Sequence, residues 1–213
     1  MLIERLVKKD ETTVVVYLDN GDKLYLSYEV VLKNGLRKGS EIFEDRFEFL
    51  IRHNKKYYIR QKALSYIARR IHSKRELENK LRQKKYEIDL IHEVLNDLVD
   101  KKMINDESFA MHFADEKINR KKWGIMKVKS ELIKKGITSD LIDHALKSYI
   151  TPESQNETTA ALAKKKLNFI SKREPDPQKI KQKILSYLLS RGFSYDTSIE
   201  VIQSLLKEID DQD

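Results

Sequence analysis

The chain of 213 residues contains no cysteine. That excludes a disulfide framework, a thiolate zinc site and a cysteine nucleophile, and it suits the reducing cytoplasm, where the protein is expected to reside. Its 6 glycines form neither a GxGxxG run nor a GxxxxGKS/T run, so the phosphate cradle of a nucleotide-binding fold is missing. No apolar run approaches the roughly 18 residues that a membrane span requires. The opening MLIERLVKKDE lacks the apolar stretch of a secretory signal. The 5 histidines, His53, His72, His92, His112 and His144, are scattered, with no HExxH or His-x-His pair to ligate a metal. Carboxylates interleave with cations at helix-pair spacing, as in Glu76–Lys80 and Glu78–Arg82, which is ordinary surface pairing. No Ser, His and acid trio stands out. These absences predict a binding protein, not an enzyme, with no cofactor and no metal.

What the chain does contain is a repeat. Leu77, Leu81, Tyr86, Asp89, Ile91, Val94, Leu95 and Leu98 recur 51 residues later as Val128, Leu132, Ile137, Asp140, Ile142, Ala145, Leu146 and Tyr149. A third copy reads Ile184, Leu188, Phe193, Asp196, Val201, Ile202 and Leu205. Ile91, Val94, Leu95 and Leu98 stand at i, i+3, i+4 and i+7, one stripe of a helix. The preceding helix ends at Gly136 in the second copy and Gly192 in the third, where a left-handed residue is wanted; the first copy has Lys85 there, at a cost of about 1 kcal/mol. Ser139 or Asp140 is expected to cap the helix that follows. A further helix introduces each unit: Ala63, Leu64, Ile67, Ala68 and Ile71; Phe109, Ala110, Phe113, Ala114 and Ile118; Ala160, Ala161, Leu162, Leu167 and Ile170. Helix pairs this short cannot bury their own stripes, so units must stack. The fold predicted is mainly α: three tandem three-helix repeats in an elongated, curved array.

The first 55 residues differ. Thr12–Leu18 and Lys23–Leu26 are β-rich runs joined by Asp19-Asn20-Gly21-Asp22, and Asn-Gly between such runs is a strong hairpin signal. Leu2–Val7 supplies a third strand. Ser27 is placed to cap a short helix, Tyr28–Asn34, stopped by Gly35. Ser40 is placed to cap a helix from Glu41 with Phe43, Phe47, Leu50 and Ile51 on one side. That helix either runs on into the first repeat or breaks near His53-Asn54. The expected divisions are a β-rich extension and linking helix (1–55) and repeats at 56–104, 105–150 and 157–209. Asn105-Asp106 caps a helix between the first two repeats, Thr151–Asn156 is a polar spacer, Ser171–Pro177 is a loop, and Asp210–Asp213 should fray.

Charge is unevenly spread within the net +8. Residues 1–55 balance at zero, residues 56–135 carry 21 Lys+Arg against 12 Asp+Glu, and residues 136–213 stand at −1. A block of +9 on the first repeat and most of the second suits an anionic partner, nucleic acid or an acidic protein groove; the alternative is a solvated Lys-rich face. The candidates cluster at two turns. Arg69, Arg70, Lys74 and Arg75 flank His72-Ser73. Arg120, Lys121, Lys122, Trp123, Lys127 and Lys129 surround Gly124, with Lys134 and Lys135 further along the same helix. Trp123 either stacks a base or anchors packing between units.

The run Ala63-Leu64-Ser65-Tyr66-Ile67-Ala68-Arg69-Arg70, followed by Ser73, Glu76-Leu77 and Leu81, resembles the opening repeat of the RecX family of bacterial recombinase modulators. Val94-Leu95 with Leu98, and Ile104-Asn105-Asp106-Glu107-Ser108-Phe109-Ala110, fit too. So do Gly124, Leu132, Lys135-Gly136-Ile137, Ile142 and Ala145-Leu146. The likeness covers residues 57–150 well and the third repeat loosely, and Gly35-Leu36-Arg37-Lys38-Gly39 is similar to the extension of longer Gram-positive members. Lys85 and Asn105 depart from the family pattern at helix boundaries. The resemblance implies a protein that binds RecA and the RecA–DNA filament in its groove. It would limit filament growth, ATP hydrolysis and co-protease activity, restraining recombination and the SOS response. A monomer is expected, without membrane contact, and direct single- or double-stranded DNA binding is left open. The alternative function is a sequence-independent nucleic-acid-binding protein acting through the basic repeats.

Overall fold

In this computed structural model residues 1–210 are described, those at 152–154 and 208–210 by their backbone alone. The fraying expected of Asp210–Asp213 lies, from Asp211 on, outside the described residues. The chain divides into two compact units, Met1–Ile104 and a second beginning at Asn105.

The first unit opens with an antiparallel sheet of order β1-β2-β3: β1 (Ile3–Lys8), β2 (Thr13–Leu18) and β3 (Lys23–Ser27). The turn at Asn20-Gly21 forms as expected, with Gly21 at φ 87°. Alternation puts Ile3, Val14, Val16, Leu18, Leu24 and Leu26 into one core. Ser27 caps α1 (Tyr28–Lys33), its hydroxyl accepting from the Val30 N–H at 3.2 Å.

Two expectations fail next. Ser40 does not cap a helix; Ser40–Ile42 instead lies beside the chain start, with the Ile3 N–H donating to Ser40 O and the Ile42 N–H to Met1 O. The helix begins three residues later as α2 (Glu44–Ile67), and Phe43, expected on its apolar side, is 73% exposed. Backbone pairing by residues 40–42 satisfies groups that a helix start would have left open.

α2 does not break at His53-Asn54. Its 24 residues run straight through, because Asn54 spends its side chain on the sheet: Oδ1 accepts from the Ser27 N–H at 2.7 Å and Nδ2 donates to Tyr25 O at 2.8 Å. Leu50 packs into the sheet core, and Ile59 and Ala63 into the first repeat core with Leu77, Leu81, Ile91, Val94, Leu95 and Leu98. Those residues come from α3 (Lys74–Gln83) and α4 (Ile88–Asp100). Basic side chains of α2 meet acidic ones of α4: Arg52 and Lys56 pair with Glu93, and Arg60 with Asp97 at 2.7 Å.

The second unit holds α5 (Asp106–Asp115), capped by Asn105 as expected, then a π-helical turn (Glu116–Arg120), α6 (Ile125–Lys134) and α7 (Ser139–Leu146). The cap of α7 is Thr138, one residue before the expected Ser139 or Asp140, and no side-chain bond is made there. Asp89, Asp140 and Asp196 sit in the first turns of their helices, where a carboxylate complements the exposed N–H groups. The third repeat comprises α8 (Pro152–Ile170), α9 (Pro177–Arg191) and α10 (Tyr195–Asp210). The stretch 151–156 is therefore helical from Pro152 and not a spacer, Pro being well placed in a first turn. In α8, Ala160 and Ala161 face solvent; Ala163, Leu167 and Ile170 enter the core.

Every apolar position of the recurring helix pair is buried except Tyr86 and Tyr149, which are half-buried; of the residues expected on the helix that introduces the first repeat, Ala68 and Ile71 lie beyond the end of α2 and are exposed. Lys85, Gly136 and Gly192 adopt φ of 62°, 77° and 90°, as the repeat requires. Among the described residues no helix is long and apolar enough to cross a membrane.

Candidate functional site

The first basic turn follows the end of α2. Arg69 and Arg75 are exposed and have no ion-pair partner among the described residues. Arg70 is held: its Nη1 donates to Ile71 O at 2.8 Å and to Glu76 Oε2 at 3.0 Å, so Glu76 meets Arg70 across the turn. Lys74 Nζ donates to Asn96 Oδ1 at 2.7 Å. Beneath them His72 is buried and donates from Nδ1 to Arg70 O at 2.9 Å. Burial pushes its pKa below the ordinary imidazole value, opposed by that bond and reinforced by the Arg70 charge. Ser73 caps α3, accepting from the Glu76 N–H. The turn is thus a rigid mount for cations.

The second basic turn is Arg120-Lys121-Lys122, at the end of the π-helical turn. All three are exposed without ion-pair partners among the described residues, and Lys122 sits at φ 54°. Trp123 is half-buried against the repeat core, with Lys127 Nζ at 4.7 Å and Lys117 Nζ at 5.4 Å from its ring centroid. Trp123 thus packs against the core of its own repeat.

The remaining candidates are engaged. Lys127 Nζ donates to Ser190 O at 2.9 Å, at the end of α9. Lys129 pairs with Asp143 at 3.0 Å, Lys134 with Glu131 at 2.7 Å, and Lys135 lies over Phe113 and Phe109.

Sequence reasoning missed the role of Gly124. Its φ of −72° suits any residue, yet a methyl there would overlap Gly192 O and stand 2.5 Å from Phe193 N. The start of α6 lies directly on the end of α9: the Gly124 N–H donates to Arg191 O at 2.9 Å and the Met126 N–H to Gly192 O at 3.2 Å. Unpaired donors of one helix meet unpaired acceptors of another, joining the second and third repeats. Among the described residues no group of three or more His, Asp or Glu side chains could hold a metal.

A small β-sheet followed by tandem three-helix domains with cationic turns defines the class: a helical-repeat protein. Models of the RecX first, second and third three-helix domains match residues 60–98, 105–146 and 153–202 in order. The chain belongs to the RecX family. It is 35% identical over 202 residues to the regulatory protein RecX of Clostridium acetobutylicum, covering 94% of each chain. The Clostridium perfringens strain 13 regulatory protein RecX is 29% identical, with 93% of this chain and 92% of that one covered. A crystal structure of regulatory protein RecX superposes with a TM-score of 0.75 at 22% identity, over 95% of this chain and 98% of the other. RecX from Lactobacillus salivarius gives 0.61 at 32% identity, over 72% and 97%.

Proposed function

We propose that this protein is a non-catalytic modulator of RecA that binds RecA and the RecA–DNA filament in the cytoplasm, without a cofactor. Its effect is to restrain filament growth, ATP hydrolysis and co-protease activity, and through them recombination, repair and the SOS response. The observation that carries the reading is the match of all three RecX domains, in order, along the chain. It is supported by exposed cations at the same turn of the first two repeats, Arg69 and Arg75 in one and Arg120, Lys121 and Lys122 in the other. Cations left without an ion-pair partner are available to an anionic groove without an internal salt bridge having to break first.

The test is single-stranded-DNA-dependent ATP hydrolysis by the cognate RecA, at salt where the protein alone does not bind DNA. A fall in rate at well below one molecule per RecA is expected. Inhibition only once the protein saturates the DNA would instead favour a nucleic-acid-binding protein acting by competition. Replacing Arg120, Lys121 and Lys122 together by Ala should weaken filament inhibition without unfolding the chain, since all three are solvent-facing.

A further inference from the structure

The third repeat has its own version of the basic turn, which net charge conceals. Lys172-Arg173 follows α8 as Arg69-Arg70 follows α2 and as Arg120-Lys121 closes the π-helical turn. Residues 136–213 total −1 because their 11 Lys+Arg are summed with 12 Asp+Glu. In the fold, cations and rings from α8, α9 and the turn alternate. Arg173 lies 5.3 Å from the centroid of Phe169, Lys166 Nζ lies 5.7 Å from Phe169 and 5.2 Å from Tyr187, and Arg191 lies 5.3 Å from Tyr187.

This ladder stands between two clefts. One, of about 700 Å³, is lined by Phe169, Tyr187, Lys166 and Arg173 among others. The other, of about 490 Å³, shares Phe169, Tyr187 and Lys166 and adds Lys165 and Lys172. Among the described residues Glu174 is the one carboxylate lining either cleft, and Lys183 pairs with it at 2.6 Å. Phe169 is 59% exposed. A large ring left in water between two hollows, with two cations within 6 Å of its centroid, gains from a flat π-face laid against it and from anions beside it.

We propose that the α8–α9 face of the third repeat is a binding site for single-stranded nucleic acid, with a base stacked on Phe169 and flanking phosphates held by Lys166 and Arg173. A duplex keeps its bases stacked on one another and cannot offer one to the ring, so the site discriminates against it. The site belongs to this chain alone and does not rest on the RecA reading.

The test uses the full chain, without RecA, and fluorescence anisotropy of a short fluorescein-labelled oligothymidylate across a salt series. Phe169→Ala should weaken binding about 5- to 150-fold, the range of one stacked base, with the salt slope unchanged. Phe169→Trp should restore it. Lys166→Ala with Arg173→Ala should flatten the log–log salt slope by roughly 0.7 for each phosphate no longer held. Wild-type affinity in folded Phe169→Ala would overturn the site. So would equal binding of the corresponding duplex, competition by thymidine monophosphate at equal nucleotide concentration, or a loss confined to Arg120, Lys121 and Lys122 variants. Because RecA is absent, none of these outcomes touches the ATPase reading.

Discussion

Gly124→Ala should unfasten the third repeat from the second. Nothing about the backbone at Gly124 forbids alanine, as its φ is −72°. The obstacle is wholly the facing chain: the new methyl would overlap Gly192 O and lie 2.5 Å from Phe193 N, and both are backbone atoms that no rotamer change can move aside. The helices must part by roughly 1 Å before that nitrogen reaches van der Waals distance. Such a shift breaks the bonds from the Gly124 N–H to Arg191 O and from the Met126 N–H to Gly192 O, now 2.9 and 3.2 Å long. At about 0.5–1.5 kcal/mol net for each bond, the loss is about 1–3 kcal/mol, the same range as ordinary overpacking. Urea unfolding gives the total, and hydrogen exchange gives the location: amides 124 and 126 should lose protection while α4 keeps its own. Gly136→Ala serves as a comparison for a glycine whose backbone stands at positive φ, 77°. If Gly124→Ala melts as wild type and keeps protection at both amides, the joint does not exist as described.

Lys85→Gly should raise stability by up to about 1 kcal/mol, since Lys85 holds φ 62° where its two counterparts are glycine; equilibrium urea unfolding reads the gain. Leu95→Ala and Leu132→Ala, each fully buried, should cost about 2–5 kcal/mol apiece, with Leu95 affecting exchange in the first unit and Leu132 in the second. His72 is kept neutral by burial, so the unfolded chain binds its proton more readily than the folded one. The stability this contributes is complete above about pH 6.5 and is lost as pH falls through the lowered folded value. His53 is shifted the same way, by burial and by nearby Lys33, Lys56 and Arg60, so His72→Gln should flatten part of the decline below that pH and the double variant His53→Gln with His72→Gln more.

The repeat was legible because it lives in one dimension. A stripe at helical spacing and a left-handed terminus are properties of adjacent residues, and Ile91, Val94, Leu95 and Leu98 lie in the core they predict. The misses concern partners distant in sequence. Ser40 resembles a helix cap until residues 40–42 find the start of the chain. Whether the helix runs on or breaks at Asn54 stays open in the sequence until Ser27 and Tyr25 are seen to occupy its side chain. The candidate cations divide on the same principle. Lys127 belongs to the same basic run as Arg120, yet it is committed to the end of α9 while Arg120 is not. Part of the charged block is spent internally, since Lys56 and Arg60 on α2 are met by acids of α4. In the third repeat the error runs the other way: a sum over residues averages over faces, and Phe169 with its cations disappears into a total near zero.

α2 belongs to two cores at once, and that makes the sheet and the first repeat thermodynamic partners. A rod of 24 residues spans roughly 36 Å, with Leu50 seated at one end and Ile59 and Ala63 toward the other. Cutting between residues 55 and 56 would leave half-helices of about a dozen residues, near the limit at which a helix persists in water. Neither core therefore melts without taking support from the other. A ligand that grips Arg69 or Arg75 adds its binding free energy to the whole span, and the amides of β3, which the ligand never touches, would report its arrival by slower exchange.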